Sequence, residues 1–473
     1  MKTACIIGGG VIGGGWAARF LLNGWRVQVF DPDPEAPRKI GEVLDNARYA
    51  LPMLYDVALP PEGELVFCDT LDAALKGATW VQESVPERLE LKQKVYAQIE
   101  TSGTKALIGS STSGFKPSEL QEGLNNPTRV FVTHPFNPVY LLPLIELVPS
   151  EKTNAGAVEE AKGILTDLGM HPLVVRKEID AHIADRFLEA VWREGLWLIK
   201  DGIATTEEID DAIRYGFGLR WGQMGLFETY RIAGGEAGME HFISQFGPAL
   251  QWPWTKLMDV PELTDELITK IAAQSDAQSG AHSIRELERM RDNNLIAMIR
   301  GLKTQNAAAG ALIKAHEEQL RNDTKADFSK PLETVNRTVP ADWTDYNGHM
   351  NESRYGQVFS DAADGVLLAL GADAAYVDAG NSYFTVNIDI NFVQEAHASQ
   401  RFKVLSQIIL ADGKKLKLFH KMLDEADTLL ATGEQFLLHV DLIARKSSEP
   451  TEMLQKNLDA AWGLQKNLSD PRD

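Results

Sequence analysis

A glycine cluster directly behind a short apolar run at the amino terminus limits the possible folds of this chain more than any other feature. The run Ala4–Ile7 predicts a buried strand, a helix-spaced apolar stripe follows the cluster, and a second apolar run covers Val27–Phe30. Glycines spaced G-x-G-x-x-G between a strand and a helix allow a tight turn and let backbone N–H groups approach a pyrophosphate. The sequence therefore predicts a βαβ unit that binds a dinucleotide through Gly8, Gly10, Val11, Ile12 and Gly13.

An acidic residue at the end of the second predicted strand indicates which dinucleotide is bound. The Asp31 carboxylate can accept hydrogen bonds from both hydroxyls of a ribose, and its charge would repel a 2′-phosphate. NAD is therefore favoured over NADP as the cofactor. The alternative is a solvated turn carboxylate, because Asp31 begins the segment Asp31-Pro32-Asp33-Pro34.

The hydrophobic pattern changes twice along the 473 residues and predicts three domains. In residues 1–179, short apolar runs alternate with amphipathic stretches, which is typical of a parallel sheet covered by helices. Residues 180–321 show helical spacing throughout. A polar segment then leads into residues 331–473, where a helix precedes alternating strands. We expect an α/β Rossmann domain, an all-α domain and an α+β domain.

Local signals sharpen these expectations. Thr205 and Glu208 have the spacing of a capping box at a helix start. In the third domain, an apolar helix face runs from Tyr355 to Leu370 and Gly371 is placed to end it. The alternation in 384–392 predicts a half-buried strand, and Asp412-Gly413 predicts a hairpin turn.

Charge and composition exclude several kinds of partner. Lys and Arg total 47 against 67 Asp and Glu, and the resulting net charge of -20 has the wrong sign for binding nucleic acid. No run approaches the roughly 18 apolar residues of a membrane helix, and the start of the chain lacks the pattern of a signal peptide. Two cysteines, Cys5 and Cys68, are too few for a disulfide framework. We expect a cytoplasmic protein that binds neither membrane nor nucleic acid, and we predict no metal site.

A histidine follows a predicted strand in the segment Thr133–Pro138, at the edge where doubly wound sheets bind ligands. Oxidising a secondary alcohol requires a base for the hydroxyl proton, and the unperturbed pKa of histidine suits that task near neutral pH. Farther along the chain, Glu146 can orient the ring of His134 and stabilise its protonated form. A lone histidine is more often structural, so this inference depends on the motifs around it.

These residues resemble the motif set of the 3-hydroxyacyl-CoA dehydrogenase superfamily. The similarity covers about the first 320 residues and includes Ser111-Thr112-Ser113, the segment His134–Pro138 and Glu146. It implies that His134 is the general base and Glu146 its partner. It also implies that Ser113 and Asn137 hold the substrate oxygen, and that Glu87 and Lys92 lie beside the nicotinamide ribose.

One departure from that superfamily concerns the substrate. Where the superfamily has Asn before Arg, this chain has Asp185, and a carboxylate is a better neighbour for a cation than for an acyl thioester. Aromatic rings bind quaternary ammonium groups, and Trp192 and Trp221 are candidates for such a pocket. The segment Ile179–Arg186 is similar to the L-carnitine 3-dehydrogenase family, which implies L-carnitine as substrate. The alternatives are rings that fill a core and a salt bridge from Asp185 to Arg186 or Arg214.

The third domain resembles the hotdog thioesterases of the 4-hydroxybenzoyl-CoA type. The resemblance is carried by Asp345-Tyr346-Asn347-Gly348 ahead of the long helix and by the strands that follow. It implies that Asp345 is the catalytic base or nucleophile, and that the fused enzyme hydrolyses the acyl-CoA thioester betainyl-CoA to glycine betaine. A capping role for Asp345 is the alternative, and His349 is expected to be structural.

These features are compatible with two functions. The first is a bifunctional enzyme that oxidises L-carnitine to 3-dehydrocarnitine and hydrolyses betainyl-CoA, with a homodimer as the expected assembly. The second is a dehydrogenase for another 3-hydroxyacyl-CoA or for an L-gulonate type 3-hydroxy acid, with a hotdog domain that only binds ligand or dimerises.

Overall fold

The computed structural model describes residues 2–57, 59–233, 236, 238–246, 248, 255–256, 259, 261–323 and 326–472. Contacts divide the chain into two compact units, residues 1–47 with 62–312 and residues 48–61 with 313–473. Residues 48–61 belong to the second unit because they bond to its helical residues near 313. Tyr55 bonds to His316, and the Asp56 N–H donates to Glu317. The three sequence-based boundaries at 179, 321 and 331 stay predictions.

The first unit contains an eight-stranded sheet among its described residues. Its strands are β1 (Thr3–Ile7), β2 (Arg26–Phe30), β3 (Leu65–Phe67), β4 (Trp80–Glu83), β5 (Leu107–Ser110), β6 (Val130–Pro135), β7 (Leu144–Val148) and β8 (His171–Val174). The strand order is β3-β2-β1-β4-β5-β6-β7-β8, and every neighbouring pair is parallel except β6 with β7.

Helices connect these strands in the pattern that the sequence predicts. They are α1 (Val11–Leu21), α2 (Ala36–Ala50), α3 (Leu71–Leu75), α4 (Leu89–Thr101), α5 (Pro117–Leu120) and α6 (Ala155–Asp167), with short 3₁₀ turns at Leu51–Leu54 and Pro127–Arg129. The central strands β1 and β4 are buried along almost their whole length because helices cover both faces. This is the expected Rossmann arrangement, and it brings the carboxyl ends of β1, β4, β5 and β6 to one edge.

Helices follow the sheet. They are α7 (Ala184–Lys200), α8 (Thr206–Ala212), α9 (Gly218–Ala233), α10 (Gly238–Phe246), α11 (Asp265–Ser279), α12 (Ile284–Thr304) and α13 (Ala308–Asp323), with a π-helical turn at Ile213–Phe217. The capping box of Thr205 with Glu208 is confirmed at the start of α8. Part of the apolar stripe of α7 lies open within the single chain, since Phe187 is 53% exposed and Trp192 is 64% exposed.

The second unit is an antiparallel sheet wrapped on a long helix. Its elements are β9 (Leu332–Thr338), a 3₁₀ turn (Ala341–Trp343), α14 (Glu352–Leu370), α15 (Ala374–Asp378), β10 (Asn381–Phe392), β11 (Arg401–Asp412), β12 (Lys415–Asp424), β13 (Leu429–Asp441), β14 (Lys446–Ser447) and α16 (Glu452–Gln465). The sheet order is β10-β13-β12-β11-β9, and β14 pairs with β13. Antiparallel strands curled around one helix form the expected hotdog fold.

Most local predictions for this unit are confirmed, and one is wrong. The predicted face of α14 is buried, Gly371 ends the helix with a φ of 99°, and β11 turns into β12 at Gly413. The 384–392 strand, however, is not half-buried within the chain, since Phe384 and Val386 are 54% and 56% exposed. β10 is an edge strand with a bulge after Thr385, so its apolar side chains do not all meet the core around α14.

Among the described residues, the structure contains no helix that combines the length and the apolar character needed to cross a membrane.

Candidate active sites

The turn from β1 into α1 has the shape of a dinucleotide cradle. A Cβ added at Gly8, whose φ is +100°, would come within 2.5 Å of the Ser84 carbonyl oxygen, and one at Gly13 within 1.9 Å of the Gly8 carbonyl oxygen. A Cβ at Gly10, by contrast, would meet nothing within 4 Å, so the space in front of the helix is open. The first turn of α1 carries no acidic residue, and Val11 is 56% exposed beside Ile12. These features fit a pyrophosphate at the helix amino terminus.

Asp31 lies directly after β2, at the position that the sequence predicts. Its carboxylate accepts hydrogen bonds from the backbone N–H groups of Gly9 and Asp33. These bonds hold a negative charge beside the glycine turn, where the hydroxyls of an adenosine ribose can donate to it.

Lys92 and Glu87 belong to a polar network at the end of β4. The Lys92 ammonium is almost fully buried, lies 2.8 Å from Glu83 Oε1 and 3.3 Å from Glu87 Oε2, and also donates to the Val85 carbonyl oxygen. Glu87 accepts from Thr112 Oγ1 and from the Gly114 N–H. Glu87 therefore fixes the loop that carries Ser113. The cofactor-binding roles of Glu87 and Lys92 stay predictions.

His134 and Glu146 form a buried pair, and the sheet register explains why. The two residues lie directly opposite each other on the antiparallel strands β6 and β7, so their side chains project to the same face. Nδ1 of His134 lies 2.9 Å from Glu146 Oε2. The other carboxylate oxygen accepts from the backbone N–H groups of Ile183 and Ala184 at 2.9 and 3.0 Å.

The hydrogen bonds to Glu146 also decide its charge. Burial of this carboxyl group favours its neutral form, but the bonds from His134 and from the two backbone donors outweigh burial and lower its pKa. Glu146 is therefore ionised near neutral pH and keeps the proton of the neutral His134 ring on Nδ1. Nε2 is left free to accept a proton from an alcohol.

Asp185 lies beside that free nitrogen. Its Oδ2 is 3.7 Å from His134 Nε2, and its side chain is 21% exposed. Burial raises the pKa of Asp185, while the charge of a protonated His134 would lower it. The proposed salt-bridge alternative is wrong for Arg214, because Arg214 pairs with Asp211 at 2.8 Å.

His182 also lies beside the His134–Glu146 pair, a position that was not expected from the sequence. Its ring is fully buried, and its centroid lies 5.5 Å from that of His134. Nε2 lies 3.3 Å from the Thr112 carbonyl oxygen, and since a carbonyl only accepts, Nε2 carries the proton. Nδ1 has no hydrogen-bond partner among the described residues. Burial and the neighbouring His134 lower the pKa of His182, so the ring is neutral.

The other predicted substrate residues differ in their position and in their exposure. Ser113 is half-buried in the loop after β5, and Asn137 is exposed in the loop after β6, so both lie at the same sheet edge as His134. Trp221 packs against Phe217 with ring centroids 4.6 Å apart. Trp192, at 64% exposure, does not form an enclosed cage wall within one chain. Their substrate roles stay predictions.

The second unit holds a separate candidate site at Asp345. Asp345 Oδ1 accepts from the N–H groups of Asn347 and His349 at 2.8 and 3.3 Å. Partial burial disfavours the charged form, but these backbone bonds prevail and lower the pKa of Asp345. The carboxylate is therefore available as a base or nucleophile. Asp345 does not cap α14, since Asn351 accepts the capping bond from the Ser353 N–H.

A pocket of about 310 Å³ adjoins Asp345 and includes Glu352, Tyr355, Phe392 and Glu395. These residues come from the first two turns of α14, the end of β10 and the loop after it. None of these four was expected from the sequence to be a site residue. The DxxG motif was the only signal for this region, and the two acids were not distinguishable from ordinary surface carboxylates.

Family comparisons match both units of the chain. Residues 3–179 match the NAD binding domain of 3-hydroxyacyl-CoA dehydrogenase and residues 182–267 match its C-terminal domain. Residues 339–458 match the thioesterase-like superfamily. The fold and the sites thus define a dehydrogenase of the 3-hydroxyacyl-CoA type joined to a thioesterase-like domain, with NAD as cofactor.

Individual relatives narrow this class. The chain is 62% identical to the L-carnitine dehydrogenase/betainyl-CoA thioesterase of Ruegeria pomeroyi over 100% of this chain and 98% of the relative. It is 57% identical to the L-carnitine dehydrogenase of Mesorhizobium japonicum over 68% of this chain and 90% of the relative. The chain belongs to the L-carnitine dehydrogenase/betainyl-CoA thioesterase family.

Among solved structures, the chain is similar to an NAD+ dependent dismutase, 5-formyl-3-hydroxy-2-methylpyridine 4-carboxylic acid 5-dehydrogenase. The TM-score is 0.54 at 27% identity, covering 64% of this chain and 99% of the other.

Proposed function

We propose that the chain oxidises L-carnitine to 3-dehydrocarnitine with NAD in its first unit and hydrolyses betainyl-CoA in its second. The observation that carries the first activity is the buried pair of His134 and Glu146, whose free Nε2 lies 3.7 Å from Asp185. This arrangement supports a base for a secondary alcohol whose substituent is a cation.

The residues of the dyad divide the proton chemistry between them. Nε2 of His134 takes the proton of the 3-hydroxyl group, and Glu146 stabilises the resulting imidazolium through Nδ1. The glycine turn and Asp31 would hold NAD, which would supply the acceptor for the hydride that leaves the same carbon. Ser113 and Asn137 are proposed to hold the substrate oxygen, which is supported by their position in loops at the same sheet edge as His134. The products are 3-dehydrocarnitine, NADH and one proton.

Asp345 carries the second activity. Its ionised carboxylate either activates water or attacks the thioester carbonyl, and water then completes the cleavage. Backbone N–H groups at the start of α14 can stabilise the oxyanion. The carbon–sulfur bond breaks, and the products are glycine betaine and the free thiol of CoA.

Two assays on the purified full chain test the proposal. NADH absorbance is followed with L-carnitine and, separately, with 3-hydroxybutyryl-CoA, and thiol release is followed with betainyl-CoA. We expect L-carnitine to be the better dehydrogenase substrate by at least about tenfold, because Asp185 favours a cation. A preference for the acyl-CoA, or an absence of thiol release, would contradict the corresponding half of the proposal.

We further propose a cytoplasmic homodimer. Exposed apolar side chains on α7 and α9, such as Phe187, Trp192 and Phe227, support an interface between copies of the chain. The free thiols of Cys5 and Cys68 are consistent with a reducing compartment. Light scattering of the purified protein, which gives its molar mass, tests the dimer.

A further inference from the structure

The pocket beside Asp345 is acidic. Three carboxylates line its space of about 310 Å³, those of Asp345, Glu352 and Glu395. Among the described residues that line it, none is Lys or Arg. Such a pocket disfavours an anionic acyl group and favours a cationic one.

Two aromatic rings form part of the same pocket. Tyr355 and Phe392 pack edge to face, with centroids 5.0 Å apart and planes at 85°. Tyr355 is only 4% exposed, which anchors the pair, whereas Phe392 is 58% exposed and leaves ring surface open. A quaternary ammonium group has no N–H to donate, so proteins bind it through ring faces and nearby negative charge.

The structure also separates the roles of the carboxylates. Asp345 is held by backbone donors in its own loop. Glu395 comes from the loop after β10 and lies 3.2 Å from His349 Nε2. Glu352 lies in the first turn of α14. Two acids are therefore available to bind a charge while the third acts on the thioester.

The geometry of the substrate matches this arrangement. In a betainyl thioester one methylene separates the quaternary nitrogen from the carbonyl carbon, a distance of about 2.5 Å. Any group that recognises the cation must therefore lie close to the catalytic carboxylate, as Glu352, Glu395 and the two rings do.

We propose that Glu352, Glu395, Tyr355 and Phe392 form the binding site for the trimethylammonium group of the acyl chain, and that this site makes the thioesterase selective for cationic acyl-CoA. The inference rests on the proposed hydrolysis of betainyl-CoA. Its test compares betainyl-CoA with 3,3-dimethylbutyryl-CoA, in which a tert-butyl group replaces trimethylammonium with nearly the same shape and no charge.

The measured quantity is the ratio of kcat/KM for the two thioesters, determined from thiol release by the full chain. We expect a ratio above about ten for the natural sequence, and a roughly tenfold fall in Glu395→Gln, Glu352→Gln and Phe392→Leu. Both Glu395 and Phe392 are exposed, so their replacement leaves the core intact. All assays contain EDTA to remove metal ions that could compete for Glu395. This is needed because possible metal-ligand atoms of His349, Glu395 and His397 lie within 4.8 Å of one another.

Glu425→Gln is the matched control, since it removes one exposed carboxylate, paired with Arg401, from the same unit outside the pocket. It should keep the ratio of the natural sequence. Two results would overturn the cation site while leaving the hydrolysis itself in place. One is a kcat/KM ratio near one for the natural sequence, and the other is a fall of this ratio in Glu425→Gln as large as that in the pocket variants. Hydrolysis of neither thioester would overturn the proposed thioesterase function and the site with it.

Discussion

Oδ2 of Asp185 lies 3.7 Å from Nε2 of His134, so a carboxylate adjoins the nitrogen that we propose as the proton acceptor. Asp185 is in the first turn of α7, and the N–H groups at the start of that helix bind Glu146. The start of α7 therefore bonds to Glu146 and also carries Asp185 beside His134. In L-carnitine the quaternary nitrogen is two bonds from the alcohol carbon, which places the cation within reach of Asp185.

Replacing His134 by glutamine tests the base directly. The amide keeps a polar side chain but cannot take a proton near neutral pH, so we expect kcat for L-carnitine to fall about 10²- to 10⁴-fold. Affinity for NAD, measured by calorimetry, should be nearly unchanged. Full turnover by the variant would mean that another group accepts the hydroxyl proton.

Glu146→Gln tests the partner of the base. Because its hydrogen bonds lower the pKa of Glu146, this carboxylate is charged across the working pH range and stabilises the protonated His134. The neutral amide removes that stabilisation, so kcat should fall about 10- to 100-fold. The acid limb of the kcat/KM profile should move to lower pH, which a merely structural role would not produce.

Asp185→Asn tests recognition of the cation. We expect KM for L-carnitine to rise at least about tenfold, because the change removes one charge and preserves shape. The matched control is 3-hydroxy-5,5-dimethylhexanoate, in which an uncharged tert-butyl group replaces trimethylammonium, and it should not lose affinity. Since burial raises the pKa of Asp185, binding of L-carnitine by the natural chain should weaken on acidification before the usual aspartate range is reached. That dependence should be absent in the variant, and its persistence would assign recognition to another group.

Local patterns and the order of motifs in the chain predict part of the fold and of the candidate sites. The glycine spacing and Asp31 follow from the strand–turn–helix pattern, and the order of His134 and Glu146 suggested a pair that the β6–β7 register forms. His182 was not predicted to lie beside the dyad, because its position depends on a left-handed backbone, with φ of 50°, that no side-chain pattern encodes. Glu395 was missed for a related reason: only the pairing of strands and loops in three dimensions brings it to Asp345.

Asp345→Asn tests whether the two activities are independent. The amide cannot act as base or nucleophile, so hydrolysis of betainyl-CoA should fall at least about 10²-fold. Oxidation of L-carnitine by the same sample should continue at the natural rate, because the redox residues lie in the other compact unit. Thiol release and NADH absorbance measured on one preparation check both statements. Loss of both activities would indicate damage to the fold rather than to one site.

The stability of the second unit should depend on pH through His420. This ring is fully buried, stacks on Phe359, and lies between Ser406 Oγ at 2.7 Å and Gln435 Oε1 at 2.9 Å. Burial lowers the pKa of His420 to about 4, although the bond to Gln435 opposes the change. Between about pH 6.5 and that value, the unfolded chain binds a proton that the folded chain does not. The free energy of unfolding should therefore fall on acidification, by up to about 1.4 kcal/mol per pH unit from this ring alone.

Urea unfolding of the full chain followed by circular dichroism at about pH 7 and about pH 5 measures this dependence. His420→Gln removes the titrating group while keeping a polar side chain between Ser406 and Gln435, so its unfolding midpoint should change less between the two pH values. His171→Gln, at an exposed position on β8, is the control and should retain the full change. A buried neutral histidine destabilises the folded chain at any pH where only the unfolded chain binds its proton. An equal change in the His420 variant would therefore show that other groups cause the acid sensitivity.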